Sequence, residues 1–135
     1  MRKIFILVSM VLAVTTVMGQ TKTNVKAEKK VDVYYFHGAH RCPTCNAIEK
    51  ETKALLESTF KKQLEDGTIK LNVLNHEEKK NKALVEKYEI WGSSLLLIDK
   101  NGKVVNLTDL AYSKARNEAA EFKADLKAEL DKLLK

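Results

Sequence analysis

Cys42 and Cys45 are the only two cysteines of the 135-residue chain, and Pro43 and Thr44 separate them. They follow a short apolar run, Tyr34-Tyr35-Phe36, that breaks at Gly38, and they open a helical pattern. Two thiols at this spacing on the first turn of a helix are close enough to close one small-loop disulfide. They also share the free N–H groups and the positive dipole end of that helix, which favour thiolate over thiol. The chemistry such a pair suits is thiol–disulfide exchange. Cys42, the outer residue, is the expected nucleophile, and Cys45, one turn further in, the expected resolving thiol. A bridge across two residues closes almost no loop, so by the chain-entropy argument it stabilises the fold little. The pair could instead hold a metal, but tetrahedral zinc needs two further ligands, for which only His37 and His40 are at hand.

The neighbours of the pair tune it. His40, two residues before Cys42, stabilises a thiolate if cationic and shuttles a proton if neutral; it could equally be a plain loop histidine. Arg41 adds positive charge beside the nucleophile, or is simply a solvated charge. Pro43 sits where a helix accepts proline, in the first turn. His37, at a strand end, reads as a packing or loop residue, and His76 has no assigned role.

Regular elements must position these residues. Val31–Phe36, β-branched and aromatic, reads as a strand. From Pro43 to about residue 64 the pattern is helical, with Ile48, Leu55, Leu56, Phe60 and Leu64 at spacings of three or four. Asp66-Gly67 ends that helix, and Ile69–Val73 alternates as a strand should. Asn75 resembles a helix cap with Glu78 as its capping-box partner, followed by a helix through Leu84, Val85 and Tyr88. Leu95-Leu96-Leu97-Ile98 suits a central strand covered on both faces. Asp99–Gly102 is a turn and Lys103–Val105 the return strand. From Ser113 onward, Ala115, Ala119, Phe122, Leu126, Leu130 and Leu133 form the stripe of one long terminal helix. The order is β-α-β-α-β-β-α. The early crossovers imply parallel pairing and the late turn an antiparallel hairpin. The fold class is therefore α/β: a central mixed sheet of four or so strands with helices on both faces.

The ends and the charge bound the setting. Met1-Arg2-Lys3, an apolar run over Ile4–Val17 and Gly19 have the layout of a secretory leader (1–19), with cleavage expected before Gln20. An uncleaved N-terminal anchor is the alternative. All three methionines fall in the leader. Residues 20–30 are a polar tether, and 31–135 a single small domain. The net charge of +6, or +4 without Arg2 and Lys3, is spread as Lys and Glu along helices. That pattern lacks the clustered basic residues with aromatics of a nucleic-acid reader. Export places the pair where disulfides persist. The sequon Asn106-Leu107-Thr108 is read as coincidence.

At this point the chain resembles the thioredoxin family. The resemblance rests on Cys42-Pro43-Thr44-Cys45 after the first strand, on Tyr88–Ser94 leading into Leu95–Ile98, and on the Asp99–Gly102 turn. It spans essentially residues 31–135 and implies a thioredoxin-like fold. A closer likeness, carried by Phe36–Cys45 and the serine-containing loop, is to exported ArsF-type proteins labelled nitrophenyl compound nitroreductase subunits. The sequence has no flavin or nicotinamide fingerprint. In the family a cis-proline usually precedes the third strand, facing the cysteines. Here Ser94 stands there, after Ser93, and a trans bond is expected at a non-proline residue. The resemblance implies that Ser94 could offer its hydroxyl to the Cys42 sulfur. The family's buried acid on the first strand aligns with Phe36, while Asp32 is expected at solvent or the strand edge. Arg41 replaces the tryptophan before the first cysteine. Pro43 and Thr44 help set redox poise. Trp91 lies in the loop expected to face the cysteines, either as an apolar contact for a partner or as local core packing.

The expected function is that of an exported, periplasmic or secreted dithiol–disulfide oxidoreductase. Cys42 and Cys45 alternate between dithiol and disulfide. Protein or small-molecule thiols and disulfides are the substrates, and electrons come from a membrane or exported thiol donor. A monomer without bound organic cofactor, nucleic acid or stable membrane insertion is expected. The alternatives are a non-enzymatic binding or electron-transfer subunit of the ArsF type, and a vicinal-thiol binder of metal or metalloid.

Overall fold

A computed structural model describes residues 30–135. The leader and residues 20–29 of the tether lie outside the described residues. Four strands form one sheet in the order β2-β1-β3-β4. They are β1 (Val31–His37), β2 (Ile69–Asn75), β3 (Ser94–Asp99) and β4 (Val104–Asn106). β1 pairs parallel with β2, and antiparallel with β3, which in turn pairs antiparallel with β4. The helices are α1 (Pro43–Thr59), α2 (Lys61–Glu65), α3 (Lys82–Lys87), α4 (Thr108–Lys114) and α5 (Ala119–Leu133). This is the mixed, helix-flanked sheet that the thioredoxin-like resemblance implies. No helix among the described residues is long and apolar enough to cross a membrane.

Alternation along the strands sorts the core into two layers. Val31, Val33 and Tyr35 of β1 and Leu95 and Leu97 of β3 meet Ile48, Leu55 and Leu56 of α1. Phe122, Leu126 and Leu130 of α5 complete that cluster. On the other face Phe36 and Leu96 meet Ile90 and the partly buried Leu84, Val85 and Tyr88 of α3 and its end. The β3–β4 turn forms because Asp99 Oδ1 accepts from the N–H groups of Asn101 and Lys103, each at 2.8 Å, while Gly102 takes a φ of 83°.

Several expectations are corrected. The C-terminal stripe is two helices, not one from Ser113. Ala111 and Ala115 present only methyl groups and let α4 lie close, whereas Phe122, Leu126 and Leu130 fill deeper space. The chain turns between them so that both stripes reach the core. Lys114 clips this corner through Glu121 and Asp125, at 3.2 and 2.8 Å. The first helix likewise breaks at Phe60, whose ring is buried. Only the first crossover yields parallel pairing; β3 returns antiparallel beside β1. Asn75 is not a helix cap but the last residue of β2: its Oδ1 accepts from Glu77 N at 2.9 Å in a local turn, and a 3-10 turn begins at Lys79. Asp32 does not face solvent; it is 9 % exposed and accepts a hydrogen bond from Asn72 Nδ2.

Candidate redox site

The site is assembled by α1, which starts at Pro43 because proline needs no N–H partner there and because Cys42 caps the helix. Cys42 is extended, with φ −74° and ψ 160°, and its Sγ accepts the Cys45 backbone N–H at 3.1 Å. A sulfur in the place of a capping oxygen lies where helix N–H groups stabilise negative charge. Cys42 and Cys45 are joined in a disulfide, their Cα atoms 5.1 Å apart. Cys42 is exposed, whereas Cys45 is 5 % exposed. The outer cysteine thus lies open to solvent and the inner one is shielded.

Three hydroxyls surround Cys45, from three elements. Tyr35 of β1 donates to the Cys45 carbonyl at 2.8 Å and so ties the first turn of α1 to the central strand. Burial, reinforced by Tyr112, pushes the Tyr35 phenol up to about 12, so it stays a neutral donor. Ser93 Oγ lies 3.8 Å and Tyr112 OH 3.5 Å from Cys45 Sγ. Two bonds hold α4 in place for this contact: Leu95 N donates to Thr108 Oγ1 at 3.1 Å, and Leu107 N to Leu95 O at 2.8 Å.

Beside the pair, Arg41 is ion-paired with Glu49, and Lys53 binds the other Glu49 oxygen at 2.5 Å. Burial pushes the Glu49 carboxyl up, but the hydrogen bonds from Lys53 and Arg41 outweigh it and hold the group below the ordinary range. The Arg41 charge is therefore already matched by a carboxylate, and its role here is to tie the loop before Cys42 to α1. Ser94 Oγ donates to Gly92 O at 3.0 Å, so the serine hydroxyl of this loop that faces the sulfurs is that of Ser93, which lies against Cys45 Sγ and the Tyr35 hydroxyl. The peptide before Ser94 is trans. Phe36, at the family's acid position, is fully buried. Pro43 is exposed and Thr44 half-buried in the first turn. His40 is exposed and makes no hydrogen bond among the described residues. His37 turns Nδ1 to Gly38 O at 2.9 Å. Among the described residues no three His, Cys, Asp or Glu side chains gather as metal ligands. Trp91 is 94 % exposed, which removes core packing as its role.

The structure thus brings together Cys42, Cys45 and Ser93 and adds Tyr35, Glu49 and Tyr112, none of which sequence reasoning selected. Glu49 had a local signal, since it lies one helical turn after Cys45. Tyr112 had none, because it is 67 residues away from its sulfur partner.

The sequence matches no family model and no curated protein. Among solved structures, the chain is similar to oxidised mitochondrial thioredoxin 3 of Saccharomyces cerevisiae, at 13% identity and a TM-score of 0.44, over 70% of this chain and 84% of that one. It is also similar to a thioredoxin of Wuchereria bancrofti, at 19% identity and a TM-score of 0.43, over 80% and 85%. A malarial protein is similar at 20% identity and a TM-score of 0.41, over 66% and 99%. The assignment of the thioredoxin-like fold rests on this chain's own sheet order and on a cysteine pair at the start of the helix after β1.

Proposed function

We propose that this protein is an exported thioredoxin-like dithiol–disulfide oxidoreductase acting on protein or small-molecule thiols and disulfides. One observation carries the reading: an exposed Cys42 sulfur caps α1 and accepts a helix N–H, with its disulfide partner buried one turn below. In the reducing direction the Cys42 thiolate attacks a substrate disulfide, forms a mixed disulfide and expels one substrate thiolate. Cys45 thiolate then attacks the Cys42 sulfur, the substrate's second thiolate leaves, and the Cys42–Cys45 disulfide remains. In the opposite direction that disulfide takes two electrons from substrate thiols. The leader-like residues 1–19 support placement outside the cytosol, where the donor is a membrane or exported thiol.

The test is a redox titration of the pair in the protein from Gln20 onward, read by thiol alkylation across glutathione ratios. A reversible two-electron couple is expected. A potential near about −270 mV marks a reductant and one near about −120 mV an oxidant. Thiols that stay unreactive across the range overturn the reading.

A second reading is an electron-transfer or binding subunit of the ArsF type. The exposure of Trp91 in the loop that carries Ser93 favours it. A Cys42→Ser variant that holds its partner as tightly as the parent supports that reading against catalysis.

A further inference from the structure

Opening the disulfide puts negative charge on Cys45, a residue buried beneath the surface. Burial penalises a thiolate, so an inner sulfur that must leave or attack as one needs compensation. At the family's acid position on β1 stands Phe36, which has no proton to take or give. Glu49, on the same helix, has both oxygens engaged by Arg41 and Lys53. What faces the Cys45 sulfur instead is the phenol of Tyr112 from α4, at 3.5 Å, and the hydroxyl of Ser93 from the loop before β3, at 3.8 Å. From β1, the Tyr35 hydroxyl donates to the Cys45 carbonyl, and its oxygen shares the Ser93 hydroxyl with the sulfur, which leaves Tyr112 as the main donor.

We infer that Tyr112, assisted by Ser93, is a catalytic residue that stabilises the Cys45 thiolate by hydrogen bonding, in place of a proton-accepting acid. The inference rests on the reading of Cys42–Cys45 as an exchange pair. When an external thiolate attacks Cys42 Sγ, a new S–S bond forms there. The Cys42–Cys45 bond breaks, and its electron pair goes to Cys45 Sγ. The two O–H groups donate to that sulfur and are not themselves ionised; the thiolate later takes a proton from solvent. In reverse, the same donors keep Cys45 ionised so that it attacks the mixed disulfide. A hydroxyl pair differs from a carboxylate in one respect that matters: it attracts the thiolate without repelling it. Cys45 is therefore a better leaving group, and the couple is biased toward accepting electrons.

The test isolates Cys45. In the full chain carrying Cys42→Ala, Cys45 is the sole thiol, and its ionisation is followed by thiolate absorbance against pH. Adding Tyr112→Phe, which keeps the ring and removes only the hydroxyl, is expected to raise the midpoint by roughly one unit. Ser93→Ala is expected to raise it less, and the two together most. Far-UV circular dichroism checks the fold, and Ser93→Ala serves if Tyr112→Phe does not fold. In chains with both cysteines, Tyr112→Phe is expected to slow opening of the disulfide by glutathione about threefold to tenfold. A midpoint that rises in a protein inactive in exchange supports the role of Tyr112 while the exchange reading falls. A midpoint unmoved in the variant lacking both hydroxyls overturns the inference, even where exchange is intact.

Discussion

The two faces of the sheet are built to different depths. Against α1, α4 and α5 lie Val31, Val33, Tyr35, Leu95 and Leu97, with Phe122, Leu126 and Leu130 wholly withdrawn from solvent behind them. Against α3 the buried cluster is smaller: Phe36, Ile90 and Leu96. Half-buried aromatics finish that side: Tyr34 stacks on Phe36 with centroids 5.7 Å apart and meets Tyr88 at 5.8 Å, and Lys87 lies 5.0 Å over the Tyr88 ring. The deep face fixes Cys45, Tyr35 and Tyr112. The shallow face carries the loop with Trp91 and Ser93. One side of the molecule thus sets the sulfur geometry, while the loop that exposes Trp91 is anchored on the side with less packing to resist adjustment.

Truncations on the two faces test this division. Phe122→Ala removes a ring from the deep face and is expected to cost about 3–5 kcal/mol, read as a fall in the urea midpoint. Leu84→Ala, on a half-buried residue of α3, is expected to cost about 1 kcal/mol. Equal losses would erase the distinction between the faces. Tyr35→Phe comes next. It removes the donor to the Cys45 carbonyl without removing the ring, and is expected to cost about 1–2 kcal/mol. It should also loosen the first turn of α1, measurable as faster amide exchange at Cys45 and Asn46. Unchanged exchange there would show that Tyr35 contributes packing alone.

The deep face was largely legible in the sequence, because its signals are local. Val31–Phe36, the Leu95–Ile98 run and the periodic apolar positions of α1 and α5 each declare their element within a dozen residues. The cysteine pair declared its own chemistry for the same reason. The shell around Cys45 was not legible. Tyr112 and Ser93 reach it across 67 and 48 residues, and Tyr112 does so only because α4 begins at Thr108. An apolar stripe from Ala115 to Leu133 reads equally well as one helix or as two with a corner, since spacing alone does not report the depth each side chain needs. Ser94 shows the complementary failure. Alignment placed it at the site, but its hydroxyl found a nearer acceptor in Gly92 O, as serine in a turn commonly does.

The shallow face also holds a backbone cost that can be removed. Glu89, at the end of α3, has φ 52°, in the left-handed region that a side chain disfavours. The bond from Ile90 N to Val85 O, at 2.9 Å, enforces it by closing the helix end. Glu89→Gly is expected to stabilise the protein by about 1 kcal/mol, the left-handed penalty less the added freedom of glycine in the unfolded chain. The thermal midpoint should rise by several degrees. A fall instead would mean that the Glu89 side chain contributes more to this face than its conformation costs.

The smallest expected effect belongs to the deep face and depends on pH. The Glu49 carboxyl is held below its ordinary value of 4.5, because the bonds from Lys53 and Arg41 outweigh the upward push of burial. A carboxyl depressed in the folded state contributes stability that is fully present above the unfolded value. That stability is lost as pH falls through the folded value. Glu49→Gln should therefore cost up to about 1 kcal/mol at neutral pH, within the range of partly exposed ion pairs. The difference from the parent should shrink as the solution is acidified below that ordinary value and vanish once Glu49 is protonated in both states. Urea midpoints of the two proteins across pH measure it. A difference that stays constant with pH would mean that Glu49 acts through packing and not through its charge. Arg41 would then be held beside Cys42 by something other than this pair, and its positive charge would again be open to the sulfur.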